Sequence, residues 1–147
     1  MQIKVYTIGK TKDSALAELI ASYHSKLKFS KNPHFLSLLI ADRHPQQAYS
    51  PAQILAEYKF SVHNSFFLAE WGRTLSTESW QKLLQTKLLE AEDVNLIIGN
   101  AFGWHKEAEI NYISLSALTF THELATLMLW EQLYRFSDLL LGGKFAK

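Results

Sequence analysis

Residues 113–142 constrain the fold more than any other stretch of this chain: ISLSALTF, then THELATLMLWEQLYRFSDLLLG. The stretch reads as a short strand or loop, a capped turn and one long terminal helix. Thr121 is an N-cap residue type, and Glu123 puts a carboxylate in the first turn, where the helix dipole favours it. Apolar side chains then fall at Leu124, Leu127, Met128, Leu129, Trp130, Leu133, Tyr134, Phe136, Leu139, Leu140 and Leu141. They occupy more than one face, so more than one surface must cover them. At about 1.5 Å per residue the helix is roughly 30 Å long, the width of a small domain. A sheet covers one stripe. A second stripe that includes Trp130 calls for a partner helix, and a symmetric homodimer is the commonest way to supply one.

Upstream, residues 3–8 form a β-branched run closed by Gly9, which reads as a strand. Helical spacing runs over residues 14–27 through Leu16, Leu19, Ile20, Tyr23 and Leu27, with Asp13 or Ser14 as cap. Residues 35–41 (FLSLLIA) read as a second strand, too apolar to have a wet face. Residues 43–50 are polar and contain Pro45, hence a loop; Pro51 then opens a helix through Ile54, Leu55 and Tyr58, capped by Ser50. Residues 65–71 (SFFLAEW) read as a third strand, ended by Gly72. Ser76 caps the next helix, with Ser79 where a capping-box acid would stand, and Trp80, Leu83, Leu84, Leu88 and Leu89 form its stripe. Residues 94–98 are a fourth strand, followed by Gly99-Asn-Ala-Phe-Gly103. A short acidic helix is expected around residues 105–109, then a fifth strand over residues 111–115. Strands alternating with helices, and apolar on both faces, place the chain in the α/β class, with a mainly parallel sheet and flanking helices. Ligands of such sheets bind beyond the strand C-termini. That points to the loops after Leu68, after Ile98 and over residues 114–120.

At 147 residues, 48% hydrophobic, the chain suffices for one globular domain with a real core. No charge-free apolar run reaches about 18 residues, so no membrane span is expected. The N-terminus lacks the apolar segment of a signal peptide, and the absence of cysteine suits a reducing cytosol. A cytoplasmic protein is the expectation. The net charge of +1 hides an asymmetry: residues 1–60 carry eight Lys/Arg against four Asp/Glu, and residues 61–147 seven against ten. The basic cluster at Lys10, Lys12, Lys26, Lys28, Lys31 and Arg43 reads either as a solvated face or as a phosphate-contacting patch.

Residue by residue, the chemistry is sparse. Glycines at 99 and 103 let backbone approach a ligand or take positive φ, but the pattern is neither GxGxxG nor a P-loop. His24, His34, His44, His63, His105 and His122 are scattered without an HxxxH or HExxH pair, so no metal site is expected. His122, beside the third loop, is the one catalytic candidate, against a capping or supporting role. Ser114, Ser116, Thr119 and Thr121 form a hydroxyl-rich loop that lacks the acid and elbow glycine of a Ser/His/Asp site. Glu131, Gln132 and Arg135 read as polar pairing at a buried interface.

IKVYTIGK at the start, LAEWG at 68–72 followed by LSTESW, LIIGNAFG, SLSALTFTHEL and LWEQLYR occur in the order seen in the RlmH family. The chain therefore resembles these SPOUT-class methyltransferases over essentially its whole length. The resemblance implies a single SPOUT-like domain over residues 1–147, with the C-terminal part of the sheet threaded into a trefoil knot. No physical prior proposes a knot. It also implies a homodimer through the C-terminal helix and no cofactor metal. S-adenosyl-L-methionine would be bound by Leu68, Gly99, Leu115, Ser116, Ala117, Leu118, Thr119 and Phe120. The implied reaction is methylation of N3 of a pseudouridine in a large-subunit (23S) rRNA stem-loop on the ribosome.

Such a transfer is an in-line displacement, so alignment of donor and nucleophile is the protein's main task. Positive charge nearby would favour loss of the imide proton, and the base would be presented out of its stack. The basic N-terminal half would contact the RNA and reach the partner subunit's site.

The chain also departs from the family pattern. Asn100 and Phe102 replace a glycine and a polar residue, Pro-His-Gln becomes Thr121-His122-Glu123, and Thr126 stands for an arginine. The tail reads Leu141, Gly142, Gly143, Lys144, Phe145, Ala146 and Lys147, without the family's arginine, tyrosine and histidine. These departures motivate an alternative: a catalytically degenerate homologue that binds rRNA, the ribosome or S-adenosyl-L-methionine without methyl transfer. A third reading, a purely structural dimerisation domain, leaves the composition of the site loops without a reason.

Overall fold

Strand β4 (Val94–Ile98) is buried along its whole length, and the rest of the fold is arranged around it. It lies between β1 (Gln2–Ile8) and β3 (Ser65–Thr74); β2 (His34–Ile40) pairs outside β1 and β5 (Asn111–Ser114) outside β3. Every pairing is parallel. The computed structural model describes residues 1–27 and 32–143. Lys28 and Lys31 of the basic cluster, and Lys144, Phe145, Ala146 and Lys147 of the tail, lie outside the described residues.

The pleat divides the apolar strands between two cores. Val94, Leu96 and Ile98 join Ile3, Val5, Phe35 and Phe66 on one face, under α1 (Ser14–Leu27), α3 (Thr77–Leu89) and α4 (His122–Leu140). Ile97 joins Ile8, Ile40 and Phe67 on the other face, with Ile54 of α2 (Pro51–Tyr58), Tyr49 and Trp104. Strands buried on both faces are the reason for their unbroken apolar runs.

The caps follow the local chemistry. Ser50 Oγ accepts from Gln53 N, Ser76 Oγ from Ser79 N and Thr121 Oγ1 from Leu124 N. Asp13, not Ser14, caps α1, accepting from Leu16 N at 3.0 Å. The missing capping-box acid is partly replaced by Ser79, whose Oγ accepts from Ser76 Oγ at 3.0 Å.

Four expectations need correction. Trp130 does not lie on an unpartnered stripe: it is fully buried under α1, its ring 5.1 Å from that of His24. The partner helix for this stripe comes from the same chain. Residues 105–109 form no helix; Trp104 makes a parallel bridge with Tyr49, and His105 N donates to Tyr49 O. Glu107 instead reaches α2, where its carboxylate accepts from Ala52 N at 2.9 Å and Ser50 Oγ at 2.6 Å.

The second strand does have wet positions. β2 is an edge strand, and Leu38 and Leu39 are exposed. Gly72, finally, does not end β3. Leu68 and Arg73 both register with Ile113, so residues 69–72 make an excursion before β3 resumes at Arg73 and Thr74. A Cβ on Gly72 would lie 2.8 Å from Ile113 N and Tyr112 C. Only glycine lets the two backbones meet there.

Candidate functional site

Because β4, β3 and β5 are neighbours, the segments leaving their C-terminal ends converge. Between them opens a cavity of about 810 Å³. Leu68, Gly99, Leu115, Ser116, Leu118, Thr119 and Phe120 all line it; of the eight residues named for the cofactor, only Ala117 is absent from its wall. His122 lines it too, at the first turn of α4.

The β4 exit loop is held by a residue that sequence reasoning treated only as a departure. Asn100 is buried, and its Nδ2 donates to Gln47 O at 3.0 Å and His44 O at 3.2 Å while Oδ1 accepts from Phe102 N at 2.9 Å. One carboxamide shapes the turn and ties it to the 42–49 loop, where Tyr49 donates to Asp42 at 2.8 Å. Burial and the bond to Asp42 push the Tyr49 hydroxyl above its ordinary pKa. An Asn after a strand is a turn signal that could have flagged this role. At Gly99, close approach is to protein: a Cβ would come 3.1 Å from the Trp104 indole. Gly103 has φ +74° in open space, so there it is backbone conformation that requires glycine.

The two serine hydroxyls of the third loop are occupied by its own backbone. Ser114 Oγ donates to Ser116 O at 2.6 Å and accepts from Ser116 N at 3.2 Å, and Ser116 Oγ accepts from Leu118 N at 3.1 Å. They shape the wall. Glu123 anchors the rim, its carboxylate accepting from Lys12 N at 3.0 Å and Asp13 N at 3.2 Å. The Lys12 bond foremost holds this carboxyl below its ordinary pKa.

Three carboxylates, Asp13, Glu70 and Glu123, lie on the wall, which among the described residues includes no lysine or arginine. Among the described residues, then, no lysine or arginine on the wall itself supplies the expected positive charge. Lys106 is nearby, its Nζ 4.9 Å from the ring centroid of Trp71, a lining residue that sequence reasoning did not single out. Of the basic cluster, Arg43 is paired with Glu57 at 2.5 Å, and Lys26 lies over Tyr23 and Tyr134.

A second cavity of about 370 Å³ opens between α1, α3 and α4, lined by Leu19, Tyr23, Trp80, Leu127 and Met128 among others. Glu131 and Gln132 also line it, bonded to each other at 2.9 Å, and Arg135 pairs with Glu131 at 2.6 Å. At the opposite end of the sheet, His63, Glu90 and Glu92 bring ligand atoms within 4.8 Å of one another, a grouping the histidine spacing did not reveal. Lys87 Nζ stands among them, 3.1 Å from His63 Nε2 and 3.7 Å from Glu92.

Comparison with known proteins follows the same whole-length pattern. The family model described as "Predicted SPOUT methyltransferase" matches residues 1–145. The chain is 34% identical to the Ribosomal RNA large subunit methyltransferase H of Synechococcus sp. (strain RCC307), over 99% of this chain and 95% of that protein. It is 31% identical to the protein of the same name from Christiangramia forsetii, over 95% of each chain. Identity to that of Coprothermobacter proteolyticus is 26%, over the full length of both.

Proposed function

Because this chain belongs to the SPOUT methyltransferase family, as the match over residues 1–145 shows, we propose that it methylates large-subunit ribosomal RNA with S-adenosyl-L-methionine as donor. One observation carries the reading to the site: seven of the eight residues named from the family motifs line a single cavity at the C-terminal edge of a parallel sheet. The wall suits such a donor. Leu68, Leu115, Leu118 and Phe120 offer apolar contact to an adenine, and Asp13 and Glu70 offer negative charge to a cationic sulfonium and ammonium. When bound, the cofactor supplies the methyl group. The chain's part is to hold it, and to align the acceptor. The test is transfer of labelled methyl from S-adenosyl-L-methionine to ribosomes by the purified protein; no label in rRNA would refute the assignment.

The finer reading is N3 of a pseudouridine as acceptor, in a cytoplasmic homodimer. Support for the dimer comes from the second cavity, where Leu127 and Met128 of α4 face Leu19 of α1, a half-exposed leucine. A second copy placing α4 there would cover them. The trefoil knot belongs to the same finer reading and is supported by the family match alone.

The alternative, binding without transfer, draws on Thr126. This residue stands where the family has an arginine, is buried, and donates its hydroxyl to His122 O at 2.7 Å. It brings no charge to the site. Calorimetric binding of S-adenosyl-L-methionine with no methyl transfer to ribosomes would select this reading.

A further inference from the structure

Trp71 is the exception among the four tryptophans. Trp80, Trp104 and Trp130 are 2%, 6% and 0% exposed, whereas Trp71 is 39% exposed; Trp71 and Trp104 both line the larger cavity, and of the two only Trp71 presents its ring to solvent. An indole left partly in water at a cavity wall exposes a large apolar surface that its own fold does not use. Its mounting is rigid. The next residue, Gly72, is pressed against the Tyr112–Ile113 peptide, and the Tyr112 ring lies 4.5 Å from that of Trp71. Tyr112 is fixed in turn by its hydroxyl, which donates to His105 O at 2.5 Å and accepts from Glu107 N at 3.0 Å. Lys106 Nζ completes the group, 4.9 Å from the Trp71 ring centroid.

A partly exposed indole with an ammonium over its ring is a pairing that binds unstacked nucleic acid: the indole surface left in water meets a base, and the cation meets the phosphate backbone or the electron-rich base. Resting on the rRNA reading above, we infer that Trp71 is the stacking platform for the unpaired target base, with Lys106 as its cation. A base inside a stem-loop must leave its stack to meet a donor held in a cavity, and it needs somewhere to go. Trp71 lies three residues beyond Leu68, in the excursion at the end of β3, and so on the wall where strand and loop meet. It also brings Lys106 to a wall that carries three carboxylates and no lysine or arginine among the described residues.

Trp71 is the most exposed of the four indoles, so its emission should report RNA binding, with Trp71→Phe separating it from Trp104 on the same cavity wall. Titrating the wild-type protein with a pseudouridine-containing stem-loop RNA should quench tryptophan emission, and Trp71→Phe should remove that quench while RNA still binds. In methylation of ribosomes from cells lacking the gene, Trp71→Ala should raise KM for ribosomes about tenfold with little change in kcat. Trp71→Phe, which keeps an aromatic face, should recover most of the loss. Lys106→Gln should raise KM and flatten the salt dependence of RNA binding. Calorimetry on Trp71→Ala should give wild-type affinity for S-adenosyl-L-methionine. An unchanged KM in Trp71→Ala, with the wild type active, overturns the platform and leaves the rRNA reading standing. Lost donor affinity in Trp71→Ala overturns it by assigning the indole to the cofactor. A wild-type protein that methylates no rRNA overturns both.

Discussion

Gly72 and Ile113 are in backbone contact: a Cβ added to Gly72 would stand 2.8 Å from the Ile113 amide nitrogen. The obstacle is main chain on both sides, so no side chain can swing aside. Gly72→Ala should therefore destabilise the protein by about 2–3 kcal/mol, the upper range for overpacking, and lower Tm by roughly 5–10 °C. Gly103→Ala is the control. Gly103 has positive φ but open space around it, so the substitution should cost only about 1 kcal/mol. Thermal unfolding of both variants checks the contrast.

Asn100 supports the cavity through its loop, without having to touch a ligand. Asn100→Gly removes the side-chain partner of Gln47 O and Phe102 N and one of the two donors to His44 O, which keeps Gln47 N. A loss of about 1–3 kcal/mol is expected in urea unfolding. Donor affinity should fall with it, since the loop also carries Gly99.

Gly99→Val should force the Trp104 indole out of its place, and Phe120→Ala should remove an apolar wall. Each should weaken S-adenosyl-L-methionine binding by about tenfold, roughly 1.4 kcal/mol, by calorimetry. Unaltered affinity in both would mean that the pocket has been misplaced.

The Glu123 carboxyl is held low by Lys12 N and Asp13 N, so its folded pKa lies below its unfolded value, about 4.3. A depressed carboxyl contributes stability that is fully present above the unfolded pKa and is lost as pH falls through the folded one. Stability of the wild type should drop below about pH 4.3, and Glu123→Gln should flatten that part of the curve. Urea midpoints measured across the acid range for both proteins give the comparison.

Met128→Glu places a charge on the smaller cavity, where Leu127 and Leu19 also lie. If a second copy covers this face, sedimentation should show dimer for the wild type and monomer for the variant. A wild-type monomer would remove the dimer from the account.

Apart from the helix expected around residues 105–109, the main helices and strands were legible, because helix spacing, β-branched runs and the caps at Ser50, Ser76 and Thr121 are local signals. The convergence of Leu68, Gly99 and residues 115–120 other than Ala117 was legible too, since parallel strands put their exits at one edge. What escaped was non-local. Glu107 reads as part of an acidic helix, yet it caps α2 from 55 residues away. Trp130 reads as surplus apolar area, yet α1 covers it, and helical periodicity cannot name a covering element. Gly72 reads as a strand end, because nothing in SFFLAEWG announces that another backbone will lie against it. Trp71 carries no local signal either: it lies in the segment where the β3–β5 register shifts, which the sequence pattern does not announce.

The central claim is methyl transfer to rRNA, and mass spectrometry of 23S rRNA tests it most directly. Ribosomes from cells lacking the gene, incubated with the purified protein and labelled S-adenosyl-L-methionine, should gain one labelled methyl group at N3 of a pseudouridine. Unlabelled rRNA, with the same modification present whether or not the gene is, would contradict the account.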